Sequence, residues 1–463
     1  MSSLVILFYT MVLTSVCNGQ SSGGNNGVEN SRAVKLITID PGHFHAALVQ
    51  KEMYPGIDSV VRIYAPEGAE LQAHLDLVKQ YNERKENPTH WVEEVYAGND
   101  YLDKMLAEKK GNVVVIAGNN RRKTEYIRKA IDAGFNVLGD KPMAISYKDF
   151  DLLQKTFAEA DKKKLLLYDI MTERSEITNI LQKEFAHIPE VFGKLEKGTA
   201  DNPSVVLESV HFFYKYVSGK ALTRPAWFFD PLQQGDVITD VGTHLIDLVQ
   251  WGCFPEQIID YKKDIKLLSS KTWTTPLSLS QFTLITKKDS FPAFLKQYVK
   301  ADTVLQTHAN GEINYILKDV HVKITARWDY KAPEGSGDTH YSMLKGTKAT
   351  IEIRQGKEED FQPVLYIIPA QGSLENEYAL QLKKAVEKLN AAYPGVDIEK
   401  NTNGWKVIIP QKYKVGHEAH FGQVMNRYLQ FLKQGKLPDW EVPNMLAKYY
   451  TSTKALDIAI KKR

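Results

Sequence analysis

The sequence predicts an α/β domain followed by an α+β domain, and two changes of pattern along the chain support this division. Between residues 33 and 170, short apolar runs alternate with helical stretches, as in a parallel sheet with helices on both faces. From about residue 259 to 368, apolar residues instead recur at every second position, which is typical of an antiparallel sheet with one wet face. With 463 residues, the chain is long enough for two domains.

The first domain, residues 33–170, is predicted from β-branched runs that alternate with helical segments. Predicted strands cover 34–40, 60–64, 95–97, 112–117, 136–138 and 165–168, and helices start at 45 and cover 124–133 and 147–161. Gly134 follows the second of these helices and suits the left-handed conformation that ends a helix. This order of elements predicts a Rossmann-like parallel sheet.

The second domain, residues 171–463, is predicted to be a mainly antiparallel sheet flanked by helices. A helix is expected over 173–184 and a strand over 205–212, followed by alternating runs at 312–317, 320–328 and 348–353. Helices over 378–393, 417–435 and 445–461 close the chain.

The first 32 residues differ in kind from the rest. Residues 4–13 are apolar but too short to span a bilayer, and small and polar residues follow, so residues 1–19 are predicted to be a signal peptide. Residues 20–32 are rich in Gly, Ser and Asn and predict a flexible tether. Cys17 either belongs to the cleaved peptide or carries a lipid, since the preceding residues loosely match a bacterial lipoprotein box. We therefore expect that a bacterium exports this protein. It would then either lie free in the periplasm or be a membrane-anchored lipoprotein.

Composition narrows the class of partner. Hydrophobic residues make up 43% and charged residues 25% of the chain, as in soluble globular proteins, and the net charge is only +3. Nucleic acid is therefore not an expected partner. If the signal is removed, Cys253 is the single remaining cysteine, so no internal disulfide is expected.

One stretch in the second domain suggests chemistry. Asp240, His244 and Asp247 are spaced at i, i+4 and i+7, which places them on one face of a helix. A carboxylate one turn from an imidazole can orient the ring and increase its basicity, which suits proton removal from an alcohol. The same spacing also occurs in buried helices whose polar groups satisfy each other, and spacing alone leaves both interpretations open.

A second motif lies at the end of a predicted strand. Residues 139–144 read Gly-Asp-Lys-Pro-Met-Ala, and Pro142 stiffens the chain directly after Lys141. Together with Asp240-Val241-Gly242-Thr243-His244, this motif resembles the Gfo/Idh/MocA oxidoreductases, which are two-domain enzymes acting mainly on sugars and polyols.

The resemblance implies an NAD-dependent enzyme, with NADP as the alternative, whose catalytic residues are Lys141, Asp240 and His244. In this scheme His244 removes the alcohol proton, Asp240 orients His244, and Lys141 holds the reacting oxygen. It also implies that the second domain binds substrate and that its open sheet face could form a homo-oligomer.

The first strand–helix turn departs from the family pattern. Such a turn should read G-x-G-x-x-G, but only Gly42 remains, with Asp40 and His45 at the outer positions. Asp40, Gly42, His43 and His45 are the expected cofactor contacts here. A metal site on Asp40, His43 and His45 is the competing interpretation, and no metal is predicted.

Further cofactor contacts are expected at two strand ends. Glu67 follows the second strand, where an acidic residue takes the ribose hydroxyls of NAD. Asn119 and Asn120 follow the fourth strand and match an Asn of the family, although capping of the next helix explains them equally well.

Substrate contacts are expected in the second domain. A carbohydrate site could draw on Arg174, Lys215, Trp227 and Asp247, because aromatic faces stack on sugar C–H groups and charged groups bind hydroxyls. His417 and His420 lie at a helix N-terminus, from which they could reach the pocket.

The sequence leaves three functions open. The leading interpretation is hydride transfer between a nicotinamide and a carbohydrate or glycoside hydroxyl. The second is glycoside cleavage by oxidation, elimination and reduction with no net redox change. The third is a glycan-binding subunit without redox activity, suggested by the degenerate glycine turn.

Overall fold

The computed structural model describes residues 33–217, 220–371 and 375–461. The signal peptide, the tether and Cys17 lie outside the described residues. None of the helices within these ranges is long and apolar enough to cross a membrane.

The first sheet has six strands, all parallel, in the order β3-β2-β1-β4-β5-β6. The strands are β1 (Leu36–Ile39), β2 (Val60–Ala65), β3 (Val92–Ala97), β4 (Val113–Ile116), β5 (Asn136–Asp140) and β6 (Leu167–Ile170). The helices between them are α1 (His45–Leu48), α2 (Ala69–Glu83), α3 (Tyr101–Glu108), α4 (Lys123–Ala133) and α5 (Tyr147–Lys163). The chain order reverses between β1 and β4, and ligands bind at such a point in open α/β sheets. The predicted Rossmann-like sheet is confirmed.

The second sheet is mostly antiparallel. Its strands are β7 (Val205–Tyr214), β10 (Ile265–Ser278), β12 (Val304–Leu317), β13 (Val320–Lys331), β14 (Thr339–Lys345), β15 (Ala349–Gln355), β16 (Val364–Pro369), β17 (Asp397–Asn401) and β18 (Gly404–Ile408), with the short β11 (Val299–Lys300) at its edge and the separate hairpin β8 (Tyr216–Val217) and β9 (Lys220–Ala221). The order is β10-β12-β13-β7-β14-β15-β16-β18-β17, and only the β7–β13 pair among these is parallel. The fold class predicted for this half is also confirmed.

Helices cover one face of the second sheet and reach back to the first. They are α6 (Ile177–Ala186), α7 (Val241–Cys253), α8 (Leu279–Thr286), α9 (Glu375–Leu389), α10 (His417–Gln434) and α11 (Glu441–Ile460). Phe421 and Tyr428 of α10 and Tyr449 of α11 belong to the same buried cluster as β1 and β4. The C-terminal helices therefore bury part of their surface against the first sheet, which brings His417 to its carboxyl edge.

The opposite face of the second sheet carries charged side chains. Glu312 accepts from Lys271 and Lys323, each at 3.2 Å, and a groove of about 730 Å³ lies beside them. Neither Lys141 nor His244 lines this groove, so it is separate from the candidate site described next.

Candidate active site

The two motifs singled out by sequence meet across the crevice between the sheets. Lys141 directly follows β5, and Asp240 directly precedes α7. The Nζ of Lys141 lies 2.7 Å from Oδ1 of Asp240, and both side chains are largely buried. The pKa of Asp240 lies below its usual value because the adjacent Lys141 ammonium outweighs the effect of burial. The structure thus brings Lys141 and Asp240 together as a charged pair.

His244 lies one turn into α7 and remains partly exposed. Its Nδ1 is buried and has no hydrogen-bond partner among the described residues. Burial, assisted by the charge of Lys141, lowers the pKa of His244 well below its usual value, so the ring is neutral near pH 7. The expectation that Asp240 orients His244 is wrong, because the carboxylate is held by Lys141.

Asp140, next to Lys141, is the centre of a second polar group. Its Oδ2 lies 3.0 Å from Nδ1 of His45 and 3.7 Å from Nδ1 of His43. Burial alone would raise the pKa of Asp140, but His45 and Lys123 hold it below its usual value. The two histidines, expected to contact a pyrophosphate, are instead directed at Asp140.

Asp40 lies at the end of β1 in the left-handed region, with φ of 46°. Its Oδ2 accepts from the Tyr126 hydroxyl at 2.9 Å, and burial raises its pKa. The expected cofactor contact of Asp40 is therefore replaced by a contact with a tyrosine beneath the turn.

The two asparagines after β4 hold the domains together. Asn119 donates to the side chain of Gln233 at 2.9 Å and accepts from the main-chain N–H of Arg121, and Asn120 donates to the carbonyl of Gln234 at 2.7 Å. Asn120 is also buried. The cap interpretation fits Asn119, and the amide groups of both residues serve the domain contact rather than an open cofactor surface.

Arg174 and Asp247 do not line the crevice. The guanidinium of Arg174 makes two bonds of 2.6 Å to Asp247 and contacts Glu441 at 3.0 Å, and all three side chains are at least 97% buried. Lys448 also donates to Asp247 at 2.8 Å. The predicted substrate contacts of Arg174 and Asp247 are thus wrong, since both side chains are enclosed in an ion-pair network.

Trp227 is also largely enclosed. The residue is 8% exposed, and its indole N–H donates to Glu70 of α2 at 2.5 Å. The predicted substrate contact is therefore corrected to a link between the second domain and α2.

Lys215 is half-buried and donates to Asp338 at 2.5 Å. The same Oδ2 lies 3.0 Å from Nδ1 of His211, whose charge contributes to the low pKa of Asp240. Lys215 thus belongs to a polar cluster beside the site.

Three further residues of the site escaped the sequence patterns. Glu173, Lys123 and His211 all influence the Lys141–Asp240 region, yet each stands alone in the sequence with no spacing that marks it. His417 was noticed at a helix N-terminus, and the structure places its ring 5.7 Å from that of His45.

Comparison with family models identifies both domains. The model described as "Oxidoreductase family, NAD-binding Rossmann fold" matches residues 42–168, and "Putative oxidoreductase C terminal domain" matches residues 181–460. The chain belongs to the Gfo/Idh/MocA oxidoreductase family. The resemblance proposed from sequence is confirmed, and the first domain is an NAD-binding Rossmann domain.

Solved structures agree with this family assignment. A crystal structure described as a "putative oxidoreductase" from Parabacteroides merdae is 54% identical, covers 93% of this chain and 98% of its own, and superposes with a TM-score of 0.91. KijD10, a 3-ketoreductase from Actinomadura kijaniata in complex with TDP-benzene and NADP, is 14% identical, covers 92% and 98%, and has a TM-score of 0.53. GenD2 from gentamicin A biosynthesis, in complex with NAD, is 15% identical, covers 96% and 98%, and has a TM-score of 0.54. None of the curated proteins matches the chain.

The residues at the carboxyl edge of the first sheet fit an NAD at its ribose end. Glu67 is exposed just after β2, where a carboxylate can accept ribose hydroxyls. A Cβ at Gly42 would lie 2.8 Å from the carboxylate of Glu70, so the first turn packs closely against α2. Lys141 directly follows β5 at the same edge of the sheet.

The pyrophosphate position is built differently from a three-glycine turn. The N–H of Gly42 donates to the carbonyl of Asp40 at 2.8 Å, and the N–H of His43 donates to that of Ala117 at 3.3 Å. Fewer main-chain donors are therefore free for a phosphate at this turn.

Proposed function

We propose that this NAD(P)-binding oxidoreductase transfers a hydride between the nicotinamide and a hydroxyl-bearing carbon of a carbohydrate or glycoside. The observation that carries the proposal is the 2.7 Å contact between Lys141 and Asp240, with a neutral His244 one turn away. The sugar class is supported by the distant relatives KijD10, a 3-ketoreductase, and GenD2, from gentamicin A biosynthesis.

Lys141 is suited to binding the reacting oxygen. Its ammonium is fixed by Asp240 in a largely buried place, where an electrostatic contact is stronger than in water. An alcohol oxygen beside Lys141 gains negative charge as its proton leaves, and the ammonium stabilises that charge. Asp240 thereby acts as a positioning residue for Lys141.

His244 is suited to accepting the alcohol proton. A base must be unprotonated before it can act, and the lowered pKa keeps its imidazole neutral at physiological pH. The bound nicotinamide supplies the hydride acceptor, while the chain's own groups hold the substrate carbon and receive its proton.

The test combines cofactor binding with redox turnover on a panel of glycosides. Lys141→Met and His244→Asn should each lower kcat/KM by about 10²–10⁴-fold, the usual contribution of one acid–base group. Lys129→Met, which removes a partly exposed ammonium of α4 that pairs with Glu125, is the matched control and should leave turnover unchanged. Full activity in both site variants would contradict the assigned roles. Glycan binding without any dinucleotide binding would support a redox-inactive subunit instead.

A second candidate is glycoside cleavage by oxidation, elimination and reduction, and Glu173 favours it. Burial raises the pKa of the Glu173 carboxyl to about 7, and the charge of Lys141 acts on the same group. After oxidation, elimination removes a proton from the carbon beside the new carbonyl and expels the aglycone, so a carboxyl that titrates near neutrality is useful. Water then adds, and the hydride returns to the ring.

The two candidates differ in their products. Cleavage releases aglycone without net formation of NADH and exchanges the substrate's carbon-bound proton with deuterium from solvent. Simple dehydrogenation produces one NADH per oxidised sugar and leaves the aglycone attached. Glu173→Gln should abolish deuterium exchange only if cleavage is the reaction.

Export, lipidation of Cys17 and oligomer formation through the open sheet face remain proposals. Intact mass of the chain recovered from a bacterial host would show whether residues 1–19 are removed or Cys17 carries a lipid. Light scattering would give the number of copies in solution. For a dimer through the sheet, Glu312→Lys should shift that number towards one.

A further inference from the structure

Three potential metal ligands converge at the carboxyl edge of the first sheet. The ligand atoms of His43, His45 and Asp140 all lie within 4.8 Å of one another. His43 and His45 lie at the turn after β1, and Asp140 is the last residue of β5, so two separate strand ends supply the group. We propose that these three side chains bind a divalent transition-metal ion, a site that goes beyond the redox function proposed above.

The spacing suits a tetrahedral ion. Metal–ligand bonds of about 2.1 Å place neighbouring ligand atoms about 3.4 Å apart. Asp140 Oδ2 lies 3.0 Å from Nδ1 of His45 and 3.7 Å from Nδ1 of His43, so shifts of a few tenths of an ångström reach that value. The main-chain N–H of His45 also donates to Nδ1 of His43 in a long contact of 3.4 Å, which coordination of an ion by that nitrogen would replace.

An unused acceptor supports a ligand at this place. Asp140 is only 3% exposed, and its Oδ1 is buried with no hydrogen-bond partner among the described residues. A buried carboxylate oxygen without a hydrogen-bond partner costs free energy. Coordination of the ion by Oδ1 as well as Oδ2 would remove that cost. The carboxylate therefore has free capacity in addition to its contact with His45.

The surroundings select the kind of ion. The ammonium of Lys123 donates to the main-chain carbonyl of Asp140, and Lys141 is balanced by Asp240, so the local field does not by itself attract cations. Binding must then come from imidazole nitrogen bonds, which favour Zn²⁺, Co²⁺, Ni²⁺ or Cu²⁺ over Mg²⁺ and Ca²⁺.

The fourth position is open towards the crevice. The side chain of His43 is 23% exposed, whereas His45 and Asp140 are enclosed, so access is from the His43 side. Three protein ligands with one open position are typical of catalytic rather than structural zinc sites. An ion held here would be bound by Asp140, the residue next to Lys141.

The test is metal binding by the full chain, measured without substrate or cofactor so that failure of the redox proposal does not affect the result. After treatment with a chelator, titration with Zn²⁺ should give one ion per chain, and Co²⁺ should give the visible spectrum of a tetrahedral site. Asp140→Asn and His45→Ala should weaken binding by at least about 100-fold, which is about 2.8 kcal/mol. Thermal unfolding will confirm that each variant is folded.

Two matched controls separate this site from adventitious binding. Asp40→Asn removes a carboxylate from the same turn that is directed at Tyr126, and His90→Ala removes an exposed imidazole. Both should keep wild-type affinity. No binding of Zn²⁺ or Co²⁺ by the wild type at about 1 mM would overturn the proposal. So would affinity that survives both Asp140→Asn and His45→Ala, since the ion would then lie elsewhere.

Discussion

Glu173 shows how burial of a single carboxyl group can carry a cost in free energy. It lies directly after Thr172 at the start of a short 3-10 turn that leads into α6. Burial raises its pKa from the ordinary 4.5 to about 7, with a contribution from the nearby Glu176 carboxylate. Near neutral pH the group is therefore poised between its two protonation states, as acid–base groups require.

This shift gives a pH-dependent prediction for Glu173→Gln. Below about pH 4.5 the carboxyl is protonated in both the folded and the unfolded chain, so wild type and variant should be similarly stable. As pH rises towards about 7, the unfolded wild type loses the proton that the folded state keeps, and its free energy of unfolding falls. The amide does not titrate, so at about pH 8 the variant should be more stable by on the order of 1–3 kcal/mol.

Urea unfolding at both pH values measures this difference. Glu67→Gln makes the same change in charge at an exposed position and should be neutral at both. A variant that is less stable than wild type at the higher pH would show that Glu173 is held as a carboxylate.

Sequence patterns predicted which residues belong to the site, but not which of these residues contact each other. Lys141, Asp240 and His244 were found from motif and spacing, yet the pairing was wrong. Helix α7 begins after Asp240, so the carboxylate stands at the helix end, where it can reach an ammonium from the other domain. Contacts between distant segments, such as those of His45 and Asp140, leave no local signal in the sequence.

Among the elements, the packing of the turn after β1 on the turn after β4 is the tightest constraint near the site. A Cβ at Gly118 would lie 2.2 Å from the carbonyl oxygen of Asp40 and 2.9 Å from the main-chain nitrogen of Gly42. Both neighbours are backbone atoms, which cannot move aside as a flexible side chain can. Gly118 therefore sets how closely the two strand ends approach.

Gly118→Ala should destabilise the protein and weaken cofactor binding together. Overpacking of this kind costs about 1–3 kcal/mol, and the clash with backbone places the expected loss at the upper end. Gly252→Ala is the matched control, because its Cβ meets nothing within 4 Å and alanine favours the helix α7. Unfolding in urea gives the stabilities, and calorimetric titration gives the affinity for NAD. If Gly118→Ala changed neither the stability nor the affinity for NAD, the two turns could move apart without cost in free energy.

Strands that are buried in the structure were predicted from the sequence more readily than exposed ones. Every strand of the first sheet was predicted, since β4 and β5 read as apolar runs that both faces of a parallel sheet bury. Strands β17 and β18 were missed, because β17 is almost fully exposed and has no alternation. Helix α8 was missed because it lies among strands and has only eight residues.

Across the whole molecule, a buried ion-pair network joins elements far apart in sequence. Lys448 of α11 donates to Asp169 of β6 at 2.7 Å and to Asp247 of α7 at 2.8 Å, and its side chain has no exposed surface. Arg174 and Glu441 complete the network. The last helix thus fixes the first sheet against the helix that carries His244.

Lys448→Met should be strongly destabilising and should also disturb the site. The variant leaves Asp169 and Asp247 with one cation fewer in a dry environment, and breaking a buried pair in this way costs about 3–5 kcal/mol. Arg174 and Lys448 hold the pKa of Asp247 below its usual value, so this part of the stability is present above the unfolded pKa near 4 and is lost as pH falls. The difference between variant and wild type should therefore shrink under acid conditions.

Lys461→Met on the same helix is the control, because Lys461 forms only an exposed pair with Asp457 and should change stability by less than about 0.5 kcal/mol. If Lys448→Met instead lowered the free energy of unfolding near neutral pH as little as this control does, Asp169 and Asp247 would be hydrated or protonated in the absence of Lys448. The ion-pair network would in that case not be what fixes the two domains against each other. A loss of stability accompanied by lower activity at temperatures where the variant is still folded would instead show that the position of His244 depends on α11.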